Sequence, residues 1–311
     1  MNGAPLSFAL SKPWCSASGN KLSYKLVTDR SKADVVVEWV GQAISTIQKD
    51  RKRDAAGLTT VDADEKQIIT HALIQIETYD FDRSVEAADS KIKSACLHEI
   101  GHALGLSHPG DYNAGQGNPT YPGSAVFYGD TRMFTTMSYF ASVNTGGVYS
   151  NYASLPQVFD IAAIQRLYGA NTSTRTGDTI YGFNSNTGIA EFTLTNSASQ
   201  AVFTIWDGAG NDTLDLSLYT TSSLIDLREE AFSTAGPRTG GTQLAAYNIA
   251  IAHGVIIENA IGGSGDDTII GNDANNVLDG RAGFDIMRGG LGNDTYYGNG
   301  QDTITEDLNA G

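Results

Sequence analysis

His98, Glu99, His102 and His108 fall within one segment, His98-Glu99-Ile100-Gly101-His102-Ala103-Leu104-Gly105-Leu106-Ser107-His108-Pro109, and their types and spacing describe a metal centre with a base beside it. Residues four apart on a helix sit one above the other, so His98 and His102 present two imidazoles to one ion. Glu99 is turned by about 100° from His98, near enough to hold a water on that ion without ligating it. Gly105 can take the left-handed conformation that ends a helix, which returns the chain so that His108 adds a third nitrogen. Three nitrogens and an open position describe a catalytic zinc, whereas a structural zinc is closed by a fourth protein ligand. The chain has five histidines and three of them lie here, which ordinary surface histidines explain poorly. The other two, His71 and His253, lie in apolar stretches and read as packing or surface residues. No Ser/His/Asp or Cys/His arrangement competes.

The full pattern HExxHxxGxxH resembles that of the metzincin metalloproteases, and Pro109 after the third histidine resembles the serralysin branch. A second stretch, Thr135-Thr136-Met137-Ser138-Tyr139-Phe140, looks like the serralysin Met-turn. The resemblance implies that Met137 forms an apolar floor under the zinc. It also implies that Tyr139 is an additional, displaceable zinc ligand able to stabilise the tetrahedral intermediate. In that scheme zinc lowers the pKa of its bound water toward ~7, and Glu99 takes the proton as hydroxide attacks a peptide carbonyl. Zinc and Tyr139 steady the oxyanion, and Glu99 hands its proton to the leaving amine. The implied substrates are polypeptides, cleaved internally.

These residues need a scaffold. Ala33 to Val40 is β-branched and bounded by polar residues, so a strand is expected there. Ile68 to Tyr79 holds the alternating set Ala72, Ile74 and Ile76, a second strand. The resemblance makes this second strand the antiparallel edge above the active site, able to pair with an extended substrate; an ordinary edge strand is the plainer alternative. The zinc helix is expected to start between Ser84 and Asp89, both N-cap types, and to run to Leu104. Asp160 to Tyr168, with Ile161, Ile164 and Leu167 at helical spacing, reads as the closing helix of this domain. Cys96 shares a stripe with Ile92, Ile100 and Ala103 and reads as a core thiol. A disulfide with Cys15, the other cysteine, is left open by the sequence. Lys12-Pro13-Trp14-Cys15 does not resemble the cysteine switch of matrixin propeptides.

From about Asn171 the composition shifts to Gly, Asn, Asp, Ser and Thr, and four nine-residue units follow without a break. Gly262 to Ile270 fits GGxGxDxUx, with Asp267 in the aspartate place. Gly271 to Asp279 has Asn276 there, Gly280 to Arg288 has Asp285, and Gly289 to Tyr297 has Asp294; Gly298 to Glu306 is an imperfect echo. The array resembles the RTX parallel β-roll, in which a Gly-rich half-unit turns and an xUx half-unit makes a short strand. Aspartates two units apart then stack on one edge and clamp calcium between turns. Asp267 is expected to pair with Asp285, and Asn276 with Asp294, the second site weaker by one charge. Asp207 to Leu214 is an isolated unit of similar shape whose Asp212 is a further calcium candidate, with a solvated Gly/Asn turn as the equal alternative.

The chain has 311 residues, 35 acidic and 20 basic, for a formal charge of −15. Much of the acid lies in the C-terminal half among glycines; phosphate binding needs clustered Lys and Arg, so a nucleic-acid partner is disfavoured and calcium is the counterion expected. There is no apolar run long enough to span a membrane and no Sec-type signal at Met1 to Pro13. The expected fold is α+β and multi-domain: a metzincin-like zinc protease domain of mixed sheet and helices over 1–170, then an all-β parallel β-roll or sandwich domain over 171–311. The expected cofactors are one catalytic Zn2+ and several structural Ca2+. A secreted, extracellular bacterial monomer is expected, the full-length protein leaving by type I export. About thirty residues precede the first strand where the family has a strand and a long helix, and the chain stops soon after the last repeat, so incompleteness at both ends is expected. The rival reading is a catalytically lapsed, non-enzymatic calcium-binding module.

Overall fold

The computed structural model describes residues 35–40, 57–63, 69–77, 86–113, 117–237 and 244–306. Cys15 and the segment before the first strand lie outside them. The chain divides into two compact units, 1–144 with 152–170 and 145–151 with 171–311.

In the first unit, β1 (Val35–Val40) runs parallel to β3 (Ile69–Glu77), and β2 (Gly57–Ala63) runs antiparallel to it, in the order β1-β3-β2. β3 therefore occupies the centre of the described sheet, not its edge as the resemblance implied. The antiparallel edge is β2, whose Gly-Leu-Thr-Thr start carries no alternating apolar pattern. Ala72 and Ile74 are fully buried on β3, but a buried face says nothing of the strands on either side, so their alternation does not separate centre from edge.

Helix α1 (Glu86–Ala103) packs across β2 and β3. Its buried stripe is Cys96, Leu97, Ile100 and Ala103, the spacing a helix needs to keep one face in the core. Each large side chain so covered contributes about 1.5–3 kcal/mol. Cys96 is a free thiol, pushed up to about 12 by burial, and is chemically inert. The helix ends where Gly105 adopts φ +92°. Leu106 N–H donates to Gly101 O and Gly105 N–H to His102 O, the paired bonds of a Schellman cap.

After a short helix, α2 (Tyr121–Ser124), comes α3 (Val158–Tyr168). It opens on a capping box between Gln157 and Asp160. Its buried apolar face is Val158, Ile161 and Ile164; Leu167, expected on that face, is exposed.

The second unit is a coil of three-residue strands. β4 (Ile180–Gly182), β6 (Thr213–Asp215), β10 (Asn259–Ile261), β12 (Val277–Asp279) and β14 (Thr295–Tyr297) form one parallel sheet. β7 (Leu224–Asp226), β11 (Thr268–Ile270), β13 (Ile286–Arg288) and β15 (Thr303–Thr305) form a second. β5 (Phe203–Ile205), β8 (Phe232–Ser233) and β9 (Ile249–Ile251) make a small mixed sheet. Successive nine-residue units alternate between the two long sheets, so partners lie two units apart: Ile269 faces Met287 and Leu278 faces Tyr296. With side chains alternating along a strand, only the middle residue of each triplet points inward. Ala260, Ile269, Leu278 and Met287 are fully buried as a result.

Candidate metal centre

The rigid part of the site is α1, which carries His98 and His102 one turn apart. His108 arrives from the loop that the Gly105 cap turns back. The three Nε2 atoms form a triangle, each 3.1 Å from the other two. Every Nδ1 meets a main-chain carbonyl: His98 with Thr136 at 2.8 Å, His102 with Leu106 at 2.8 Å, His108 with Tyr112 at 2.7 Å. A carbonyl only accepts, so each Nδ1 carries the proton and each Nε2 presents a lone pair. Three lone pairs converging at 3.1 Å repel one another unless a cation lies among them. Tetrahedral zinc with nitrogens at about 2.0–2.1 Å places them about 3.3 Å apart, so the donor set fits that ion. Among the described residues this is the one group of three or more metal-ligating side chains with donor atoms within 4.8 Å of one another.

Burial holds the His98 imidazole down to about 3, with the neighbouring His102 adding to it, and burial likewise lowers His102 and His108. All three are neutral at physiological pH, as ligation requires. Glu99 is buried and pushed up to about 7 by that burial; a hydrogen bond from Thr59 opposes the shift. Thr59 Oγ1 lies 2.6 Å from Glu99 Oε2 and 3.0 Å from Glu99 O. The Tyr139 ring stands 4.5 Å from that of His108 and 5.8 Å from that of His98, centroid to centroid. Arg132 fixes its main chain, donating from Nη2 to Tyr139 O at 2.7 Å.

Met137 is buried, in a turn tied down by one carboxylate. Asp160, buried in α3, accepts from Thr135 Oγ1 at 2.6 Å, from Thr136 N–H at 2.8 Å, from Thr136 Oγ1 at 2.9 Å and from Gln157 N–H at 2.9 Å. Thr136 in turn supplies the carbonyl that orients His98. Desolvation raises the Asp160 carboxyl while the four donors pull it down. The structure thus brings His98, His102, His108 and Tyr139 into one aromatic group, with Glu99 beside His98 on α1. Thr59, Tyr112, Asp130 and Asp160 join the site from residues that the motifs do not include. Only Asp160 left a trace in the sequence, as the N3 acid of a capping box. His253 stands exposed beside Glu229 and Glu230, at 3.1 and 3.6 Å, and takes no part; the His71 side chain lies outside the described residues.

In the second unit the residues at the aspartate place stack along one edge, each receiving an amide from the preceding coil. Asp267 N–H donates to Asp285 Oδ1 at 2.8 Å, Asn276 N–H to Asp294 Oδ1 at 2.8 Å, and Thr179 N–H to Asp212 Oδ1 at 2.8 Å. The second oxygens of Asp212, Asp285 and Asp294 are buried without a hydrogen-bond partner. Burial raises all four carboxyls, Asp212 to about 7 and Asp285 to about 6. Asp267 differs, its Oδ2 accepting from Gly263 N–H at 2.6 Å. Asn276 also differs, spending its amide on Glu258 O and Asn272 Oδ1. In the consecutive units each carboxylate folds back on the first glycine of its own unit: a Cβ on Gly262 would sit 2.6 Å from Asp267 Oδ2, one on Gly280 2.5 Å from Asp285 Oδ2, and one on Gly289 2.0 Å from Asp294 Oδ2. Buried oxygens with no donor, close to turn backbone, are the ligand chemistry of a hard cation such as calcium.

Residues 170–310 match the peptidase M10 serralysin C terminal family. The chain is 54% identical to the metalloprotease AprA of Pseudomonas entomophila over 193 residues, 60% of this chain and 38% of that protein. It is 54% identical to serralysin B of Dickeya chrysanthemi over 174 residues, 56% of this chain and 35% of that protein. It is 53% identical to the serralysin of Proteus mirabilis over 183 residues, 58% of this chain and 36% of that protein. The chain thus matches well under half the length of these curated relatives. Residues 170–310 thus match the serralysin C-terminal family, and over part of its length the chain is similar to serralysin metalloproteases.

Proposed function

We propose that the protein is a zinc-dependent endopeptidase of the serralysin type, with residues 1–170 as its catalytic domain and 171–311 as a calcium-stabilised β-roll. The observation that carries this reading is the triangle of three unprotonated Nε2 atoms at 3.1 Å, with the buried Glu99 carboxyl next in sequence to one of its corners.

His98, His102 and His108 would hold the zinc, which when bound supplies a Lewis acid for water and for the scissile carbonyl. Glu99 accepts the proton of the attacking water and returns it to the leaving amine nitrogen. Its burial keeps the carboxyl basic, and a cation beside it favours the ionised form. Tyr139 would donate its hydroxyl to the oxyanion that develops on the carbonyl oxygen, and could also reach the ion as an additional ligand. Met137 closes the site with an apolar side chain. Edge strand β2 is the strand available to pair with an extended polypeptide substrate.

In the β-roll, Asp212, Asp285 and Asp294, with their partnerless oxygens, and Asp267 and Asn276 beside them, would share calcium with turn carbonyls. Secretion as an extracellular monomer, with type I export as the route, is part of the proposal. No helix among the described residues is long and apolar enough to cross a membrane.

Zinc quantification on the purified protein, with casein digestion before and after chelation, tests the reading. One zinc per chain and chelator-sensitive cleavage are expected. A chain that binds calcium but neither zinc nor casein would establish the non-enzymatic alternative.

A further inference from the structure

His108 is the one histidine of the three that α1 does not hold. It lies in a stretch after the helix cap with no regular secondary structure, so something else must fix its ring. We propose that Tyr112, braced by Asp130, is the positioning residue that aims His108 and sets how tightly the site holds its metal. The inference rests on the zinc-site reading above.

Tyr112 grips His108 twice. Its carbonyl accepts the His108 Nδ1 proton at 2.7 Å. Its ring also stacks on the imidazole, centroids 5.4 Å apart and planes 12° from parallel. Both contacts come from one side chain and its own main chain, so whatever fixes the phenol end also fixes the carbonyl. The phenol is fixed by Asp130, to whose Oδ1 it donates at 2.6 Å. The Tyr112 hydroxyl oxygen in turn accepts from the Ser138 side chain and from the main-chain N–H of Tyr139. Tyr112 thereby joins the third-ligand loop to the turn that carries Met137 and Tyr139. Gly110 completes the seat, since a Cβ there would lie 2.8 Å from Tyr112 Cε1.

Asp130 is an expensive way to hold a tyrosine. It is 0% exposed, and its Oδ2 is buried with no hydrogen-bond partner. A buried charge with an unsatisfied oxygen lowers stability relative to an apolar residue of the same volume. Such a group is best explained by a role other than packing, and a hydrogen-bonded network leading to a metal ligand is one. A charge-assisted bond at 2.6 Å is stiffer than a neutral one, and the negative charge favours a cation at the neighbouring triangle.

The test measures zinc affinity by competition with a chelator, alongside melting of metal-free and zinc-loaded protein. The variants are Tyr112→Phe and Asp130→Asn, with Tyr121→Phe as the control. Tyr121 donates its hydroxyl to Tyr128 O at 2.7 Å and touches no histidine of the site. Tyr112→Phe keeps the ring and carbonyl and loses only the brace; Asp130→Asn keeps the shape and loses the charge. Each is expected to weaken zinc binding roughly 10- to 100-fold, the range for outer partners of metal-bound histidines. The midpoint of metal-free melting should stay close to that of the parent in Asp130→Asn and fall in Tyr112→Phe, which strands the buried Asp130 carboxylate, and the control should stay within about twofold in affinity. Parent-like zinc affinity in both variants would overturn the inference and leave the zinc site standing. So would a loss in Asp130→Asn matched by an equal drop in its metal-free stability, which would make the pair a packing feature. A parent protein that takes up no zinc would remove the metal-site reading itself, and the inference with it.

Discussion

The Thr59 hydroxyl, on an edge strand, lies 2.6 Å from Glu99 Oε2 and 3.0 Å from the main-chain oxygen of the same residue, forty positions along the chain. One hydroxyl proton cannot serve both oxygens at full strength. It can donate to the carboxylate when Glu99 is ionised. When the carboxyl is protonated, Thr59 can turn its proton to the carbonyl and accept from the acid instead. Thr59 is therefore suited to hold the carboxyl in place through both halves of a proton transfer.

Thr59→Val is expected to lower kcat about tenfold with KM little changed, because the base keeps its chemistry but loses its tether. Thr59→Ser should restore most of the rate. Steady-state kinetics on a peptide substrate decides it: a valine variant with parental kcat, or a serine variant as slow as valine, removes the role.

Glu99→Gln should keep zinc bound and lower cleavage by about 10²- to 10⁴-fold, since three imidazoles remain and the proton acceptor is gone. Tyr139→Phe should be milder, keeping zinc while slowing turnover, as one donor to the oxyanion is lost. Metal content and casein digestion measured together separate the two. Near-parental cleavage by Glu99→Gln would refute the base assignment, and zinc loss in Tyr139→Phe would assign that ring to the scaffold.

Asp160 collects four donors in the core. Asp160→Ala strands them and is expected to cost about 3–5 kcal/mol, with Asp160→Asn nearer about 1–3. Urea unfolding of the full chain, followed by the circular dichroism of its helices, gives the number. A change under about 1 kcal/mol for alanine would show that water replaces the carboxylate freely.

In the roll, Asp212 and Asp285 are raised to about 7 and about 6 by burial. Their folded values lie above the unfolded value near ~3.9, so without metal the folded state binds more protons. The stability this gives is fully present below about pH 4 and is lost as pH rises through 6 and 7. In chelator the second unit should therefore be more ordered at pH 5 than at pH 8. Calcium at roughly 10⁻⁴ to 10⁻³ M should restore β structure at pH 8 and do less at pH 5, where it competes with protons. Circular dichroism of the full chain shows it. A signal that neither calcium nor acid moves would count against cation clamping.

Local spacing carried much of this molecule. Helical spacing of His98 and His102, a glycine able to turn left at position 105, and a nine-residue period with one inward residue per unit are properties of a short stretch of chain. They can be read without knowing any partner. Cys96, Ile100 and Ala103 are legible for the same reason, whereas Ile92, expected in that stripe, is only partly covered and Leu97 is buried instead.

What the tertiary structure alone decided is who meets whom across long separations. The alternating pattern of Ala72 and Ile74 marks a strand, but not that β3 lies in the centre and β2 at the edge, because side-chain alternation encodes a buried face and not the strands on either side. Thr59, Tyr112 and Asp130 are ordinary polar residues in sequence, and Asp160 shows there only as a capping acid. Each acquires its role from a hydrogen bond that spans between 18 and 40 positions, and such bonds exist only after hydrophobic burial has placed the elements. Helix and repeat periodicity are set by covalent geometry and near neighbours, whereas the outer partners of the histidines are set by packing.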